Sequence, residues 1–238
     1  MKRFYRRAEP AAGEGGHRVL LDGRPLRTPA GRTFLLPEAG LAAAIAEEWQ
    51  AQGEHIEPSL MPLTRLATTA VDLMPERRGD AIAELAGFAR TDLLCYRAAQ
   101  PEALTDRQRR DWQPWLDWAS REFGARLETT TALEPVAQPE EAVARLVARS
   151  EALDDWRLVG LHAVTRLTGS LVLGLAVERG ELDAERAFAL SHLEELWEME
   201  HWGRDTEQER RLAAIRRDLV ASGRYLALLP GRGERRPG

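Results

Sequence analysis

Cysteine, lysine and tyrosine are scarce in this chain. A single cysteine, Cys95, excludes an internal disulfide and any cysteine-based zinc site, and it fits a reducing compartment. One lysine, Lys2, stands against 32 arginines, which with the abundant alanine reads as codon bias and not as a functional signal. Basic charge is not in excess: the net charge is −5 and the pI about 5.7, which argues against a dedicated nucleic-acid binder. Uninterrupted apolar runs are missing as well. The longest candidate, residues 158–177, contains His162, Arg166 and several hydroxyl or glycine breaks between Thr165 and Ser170. An arginine at the centre of a spanning helix costs roughly 2.5–3.5 kcal/mol, so the segment reads as a buried helical pair and membrane insertion is not expected. The basic start, Lys2, Arg3, Arg6 and Arg7, is followed by no apolar region of a secretory signal, so a cytoplasmic protein is expected.

Catalytic motifs are equally sparse. There is no His-Glu-x-x-His, no phosphate loop ending in Gly-Lys-Ser/Thr, no Gly-x-Gly-x-x-Gly after a strand and no nucleophile elbow. A di-iron bundle needs two Glu-x-x-His motifs, and only Glu198 to His201 fits. His192 and His201 point to opposite sides of one helix and cannot share a metal. No catalytic residue, metal site, cofactor or small-molecule substrate is therefore assigned. A triad of scattered Ser, His and Asp is recognised by geometry alone, so a small soluble hydrolase with its active site in the helical region is the alternative reading.

What is present is an ordinary globular composition, 44% hydrophobic and 30% charged, in a chain long enough for a substantial core. Residues 1–36 read as short strands. Arg3 to Arg6 is one, a loop spans Gly13 to Gly16, and 17–21 follows. Asp22-Gly23 is a type I′ hairpin signal, 24–28 returns, and 33–36 supplies a further strand. The meander needs helices against it to be stable. The first helix opens at Pro37 or Glu38 with Leu41, Ile45 and Trp49 as its stripe, and ends at Gln52-Gly53. The second starts at Pro62, buries Leu63, Leu66, Ala67, Ala70 and Met74, and stops at Pro75. A third begins near Asp80. Asp92 to Arg97 reads as its last turns or as a short strand, with Cys95 an inert core residue.

From Pro101 onward the pattern is helical. Trp112, Trp115, Ala119 and Phe123 form an aromatic stripe, with Pro114 expected to break or kink that helix near its start. Residues 127–139 read as an extended connection. Helices are then expected over 140–151, 155–168, 170–179, 183–202 and 206–229, with Ser170 as an N-cap, Gly180 as a terminator and 231–238 as a disordered tail. The fold class is α+β: a small N-terminal antiparallel sheet with packed helices over 1–100, then a mainly helical bundle domain over 101–230.

One stretch, from Leu193 to Arg204, stands apart, drawn as a helix that closes at Trp202-Gly203. At about 100° per residue, Leu190, Leu193, Leu196 and Trp197 share a face, and Glu200 falls in the middle of it. Glu194, Glu198 and His201 line the adjacent face, and Gly203 has the look of a left-handed C′ residue. A carboxylate on an apolar face must find a partner, shift its pKa or border a cleft. The spacing alone does not choose between a structural helix and one that presents acid and tryptophan to a partner. Tryptophan and arginine anchor interfaces, and an aromatic surface with an acidic rim suits an arginine-bearing protein.

Several blocks, in order, resemble the ATP12 family of assembly chaperones for the F-type ATP synthase. They are Lys2-Arg3-Phe4-Tyr5, residues 21–29 (Leu21-Asp22-Gly23-Arg24-Pro25-Leu26-Arg27-Thr28-Pro29) and Glu48-Trp49 with Gln52. Met61-Pro62-Leu63-Thr64-Arg65-Leu66, Thr91-Asp92-Leu93-Leu94-Cys95-Tyr96-Arg97, and Glu194-Glu195 leading to Trp202-Gly203 complete the set. The resemblance spans residues 2 to about 229. It implies a non-catalytic protein that binds the unassembled α subunit of the catalytic sector and shields its β-facing surface until the β subunit takes over. It makes Glu194, Glu195 and Trp202 the leading functional positions; with Glu198, Trp197 and Glu200 they form the expected partner-binding set. Glu198 departs from the glutamine that family members often carry there. The resemblance further implies a bacterial cytoplasmic member, with the mitochondrial matrix as the place of eukaryotic relatives.

Overall fold

The computed structural model describes residues 1–132, 134–203 and 205–230; the tail expected to be disordered lies outside them. The sheet is a three-stranded antiparallel meander, β1 (Ala8–Gly13), β2 (Gly16–Leu21) and β3 (Arg24–Pro25), in the order β1-β2-β3. Asp22 and Gly23 have φ of 48° and 78°, the two positive values that a type I′ turn requires. The hairpin before it was not anticipated. The first strand is residues 8–13 and not 3–6, and Gly13 and Gly16 pair with each other at its closing turn. The segment expected as a fourth strand, 33–36, makes isolated bridges, Thr33 with Arg27 and Leu36 with His17.

Ten α-helices follow among the described residues. In the first half are α1 (Ala39–Gln50), α2 (Pro62–Asp72), α3 (Met74–Arg90) and α4 (Glu102–Phe123). Then come α5 (Glu140–Glu151), α6 (Asp155–Thr168), α7 (Leu171–Glu178), α8 (Ala184–Ser191), α9 (Leu193–Trp202) and α10 (Thr206–Ala227). Helix α1 lies on β1 and β2, burying Leu41 and Ile45. Glu48, one turn from its end, accepts hydrogen bonds from Leu63 N at 2.7 Å, Thr64 N at 2.8 Å and Thr64 Oγ1 at 2.7 Å. It thus caps α2 from another helix, where α2 has no cap of its own.

Three helix boundaries correct the sequence reading. Pro75 does not stop α2; it sits in the first turn of α3, where its missing N–H costs nothing. Pro114 lies inside α4, which continues through it because Trp112, Leu116 and Ala119 on the same helix are buried. The single helix expected over 183–202 is two, broken at His192 (φ −112°, ψ 26°). His192 is buried and stacks on Phe188 at 4.8 Å, so packing of the ring and not a helix-breaking residue sets the break.

One hydrophobic cluster runs from Tyr5 to Leu229, and α2 and α3 pack against α6, so elements on both sides of residue 100 share a core. The Asp92–Arg97 block is a 3-10 turn, Leu93–Cys95, followed by a parallel bridge from Tyr96 to Thr130. Asp92 is fully buried. Its carboxylate accepts from Leu94 N at 3.1 Å and from Val172 N at 3.0 Å, joining the end of α3 to the start of α7. Burial pushes its pKa up to about 6 in spite of these bonds. Cys95 is buried and its thiol is pushed well above the usual range by desolvation, as an inert core residue requires.

Candidate functional site

The α8–α9 pair is held against the body by α4, through three side chains on neighbouring turns. Trp112 is buried and donates from Nε1 to Leu190 O at 2.9 Å, fixing the end of α8. Gln108 is also buried: its carbonyl oxygen accepts from Ala98 N at 2.8 Å and its amide donates to the Glu194 carboxylate. Arg107 grips Glu200 in a two-point ion pair, at 2.6 and 3.2 Å. The hydrogen bond from Arg107 holds the Glu200 carboxyl below, and the guanidinium above, their ordinary values. On the other side Arg211, from α10, pairs with Glu195.

The candidate set therefore divides. Leu193 and Trp197 are buried and anchor α9, so Trp197, at 6% exposure, shapes the surface from beneath. Leu190 belongs to α8. Glu200 does not sit unpartnered on an apolar face; it turns to Arg107. Glu194 and Glu195 are engaged by Gln108 and Arg211. Glu198 is exposed and makes no hydrogen bond or ion pair among the described residues. Trp202, one helical turn further, is 72% exposed.

Trp202 nonetheless keeps one ring contact. Its ring meets the edge of Trp197 at 5.3 Å and 85°, and the other side of that arrangement is closed by His201 stacked on Trp197 at 4.0 Å. His201 bonds Trp197 O through Nδ1 at 2.8 Å. Gly203 ends the helix with φ 98° and ψ 175°, a positive φ as expected but an extended conformation and not the left-handed helical one. Arg107 and Gln108, which orient this end, were not foreseen: nothing local in α4 announces a partner about ninety residues away. No group of three or more His, Cys, Asp or Glu able to hold a metal occurs among the described residues. None of their helices is long and apolar enough to cross a membrane.

The end of α9 thus combines an exposed tryptophan with an exposed carboxylate unpaired among the described residues, the residue types found at protein interfaces. The comparisons give this α+β scaffold a family. Residues 2–120 match the family described as ATP12 chaperone protein. The structure matches Atp12 from Paracoccus denitrificans with a TM-score of 0.89 and 44% identity, over 95% of this chain and 97% of that one. It also matches the Atu1473 protein of Agrobacterium tumefaciens, with a TM-score of 0.90 and 41% identity over 95% and 85% of the two chains. The mitochondrial protein atp12 of Schizosaccharomyces pombe is 23% identical over 214 residues, 85% of this chain and 74% of its own length. The chain belongs to the ATP12 family of chaperones.

Proposed function

We propose that the protein holds the unassembled α subunit of the F-type ATP synthase catalytic sector, covering its β-facing surface until the β subunit displaces the chaperone. Membership of the ATP12 family along nearly the whole chain carries this reading. The outer face of α9 supports it with a contact of suitable chemistry: Trp202 as the aromatic anchor and Glu198 as a carboxylate open to a client arginine, with Glu194, Glu195 and Glu200 held in reserve on the same helix. The role is binding and not catalysis, and it needs no cofactor. Identity above 40% to two bacterial proteins favours a bacterial cytoplasm. Handover to β requires affinity below that of the final assembly, because a client bound too tightly is not released.

The test is light scattering of the cognate α subunit on dilution from denaturant. Suppression near one-to-one stoichiometry, reversed by adding β, is expected. Trp202→Ala and Glu198→Lys should each weaken holding by about tenfold, the size of a hot-spot truncation or a like-charge contact, with unchanged thermal melts. No suppression by well-folded wild type would overturn the reading.

A further inference from the structure

The N-terminal layer carries a second prepared surface. Residues 1–36 hold eight basic and three acidic side chains, a net charge of +5 inside a chain whose total is −5. Along the extended entry segment, Arg3 and Tyr5 turn inward. Tyr5 is buried, donates to Trp49 O at 2.6 Å and packs against the Trp49 ring at 5.6 Å. Arg3 donates to the carbonyl oxygens of Tyr5, Gln52 and Arg6, and its guanidinium lies 4.7 Å from the Tyr5 ring.

Phe4, between them, is forced outward. It is 64% exposed and has one ring contact, edge-on to Tyr5 at 5.4 Å. Its backbone is pinned on both sides. Arg3 N donates to Glu54 O at 2.8 Å, and Arg6 N and Arg7 N donate to the Asp22 carboxylate at 3.1 and 2.9 Å. Those two N–H groups hold the Asp22 carboxyl below its ordinary pKa. Among the large hydrophobic side chains exposed in the described residues, Phe4 and Trp202 are the aromatic ones.

Beside Phe4 opens a cleft of about 570 Å³, lined by Leu21, Pro25 and Leu26 with Arg24 and Arg27. Asp22 is its acidic member, and its carboxylate is committed to backbone N–H groups. Neither Arg24 nor Arg27 makes an ion pair among the described residues. Pro25 removes a donor from β3, the edge strand beside the cleft, which disfavours strand addition there and leaves recognition to side chains.

We propose that this cleft is a second docking surface, taking an acidic segment of the client protein that also bears an aromatic or large aliphatic side chain. The apolar side chain enters between Phe4 and Leu26, and the carboxylates meet the Arg24 and Arg27 guanidiniums, whose fork matches them. An aromatic on a pinned backbone loses little freedom on binding, so its contact is realised as affinity. A protein segment fits better than a phosphate backbone or an anionic bilayer, because the cleft sets apolar side chains beside its two arginines and the rest of the chain is negatively charged. The identity of the client rests on the chaperone reading above; the chemistry of the cleft does not.

The experiment has two arms, both with the full chain. In the first, a short fluorescein-labelled peptide alternating glutamate and leucine is titrated with wild type, Phe4→Ala and the double variant Arg24→Glu/Arg27→Glu, at low and high salt. Preference for this peptide over its lysine-for-glutamate counterpart is expected. Phe4→Ala should lose about tenfold and the double variant about a hundredfold, the latter also losing most of the salt dependence. Equal binding by all three proteins, or none, overturns the proposal, as does capture of phosphatidylserine vesicles or duplex DNA in preference to the peptide.

In the second arm the same variants are tested on the α subunit. Weaker retention, with unchanged circular-dichroism melts, supports the surface; undiminished retention overturns its role toward that client. An α subunit that wild type does not hold overturns the chaperone reading, while the peptide arm still decides the chemistry of the cleft.

Discussion

The two ends of the molecule present an exposed aromatic by opposite means. At the N-terminal end, Phe4 projects from an extended segment whose backbone is tied down by hydrogen bonds to Glu54 and Asp22, in a field of arginine. At the α9 end, Trp202 projects from a helix whose backbone is internally satisfied. That helix is placed by side chains reaching across from α4 and α10, in a field of glutamate. An extended segment has unpaired N–H and C=O groups to offer, so a carboxylate such as Asp22 can pin it directly. A helix has none along its length, so only its side chains can be held. The extended segment is therefore fixed through the main chain and the helix end through packing, which makes them vulnerable to different changes.

The largest effect should come from Trp112→Ala. It empties a buried indole and frees Leu190 O, a loss of about 3–5 kcal/mol for a core aromatic. Amide exchange should quicken across α8 and α9 while residues 1–25 keep their protection; uniform acceleration would show that the two ends do not differ in this way.

Next is Asp92, which belongs to the core between them. Its folded pKa of about 6 exceeds an unfolded value of about 3.9, so the folded state holds the proton over that window. Stability contributed there is present below pH 4 and lost as pH rises to 6, by about 3 kcal/mol at most. The stability of wild type relative to Asp92→Asn, from urea melts, should fall across this range and then level off. Asp22 runs the other way: its depressed pKa gives a contribution present above its unfolded value and lost as acid protonates it, loosening the Phe4 segment.

The smallest effect is expected from Arg107→Ala. The ion pair to Glu200 is exposed enough that its removal should change stability by less than about 1 kcal/mol. A larger loss in a thermal melt would mean that α9 is held by charge more than by Trp112 and Trp197.

Many of the residues that carried the family resemblance turn out to be joints of the fold. Glu48 caps α2, Gln52 accepts from Glu57 N at 2.7 Å, Tyr5 packs on Trp49, and Asp92 links α3 to α7. Their patterns were visible because each sits in a block with its own local signature. The same blocks hid the difference between framework and surface. Tyr5 and Phe4 are adjacent in one block, yet one is buried and the other open, and α9 offers Glu198 while engaging Glu200. Hydrophobic periodicity predicted an apolar face along 183–202 as if it were one helix; the chain breaks at His192, with Leu190 on α8 and Leu193 and Trp197 on α9 all buried.

What the sequence by itself determined was carried by short-range chemistry. The type I′ turn at Asp22-Gly23, the cap by Ser170, and the spans of α5 and α6 all came out as read, because each depends on groups within a few residues of one another. Only the tertiary structure decided which of the acids and aromatics are left open to solvent. Trp112 reaches Leu190 across 78 positions, Gln108 reaches Glu194 across 86 and Arg107 reaches Glu200 across 93. A side chain is left free for a partner only when no such distant group claims it, and that is a property of the packed chain.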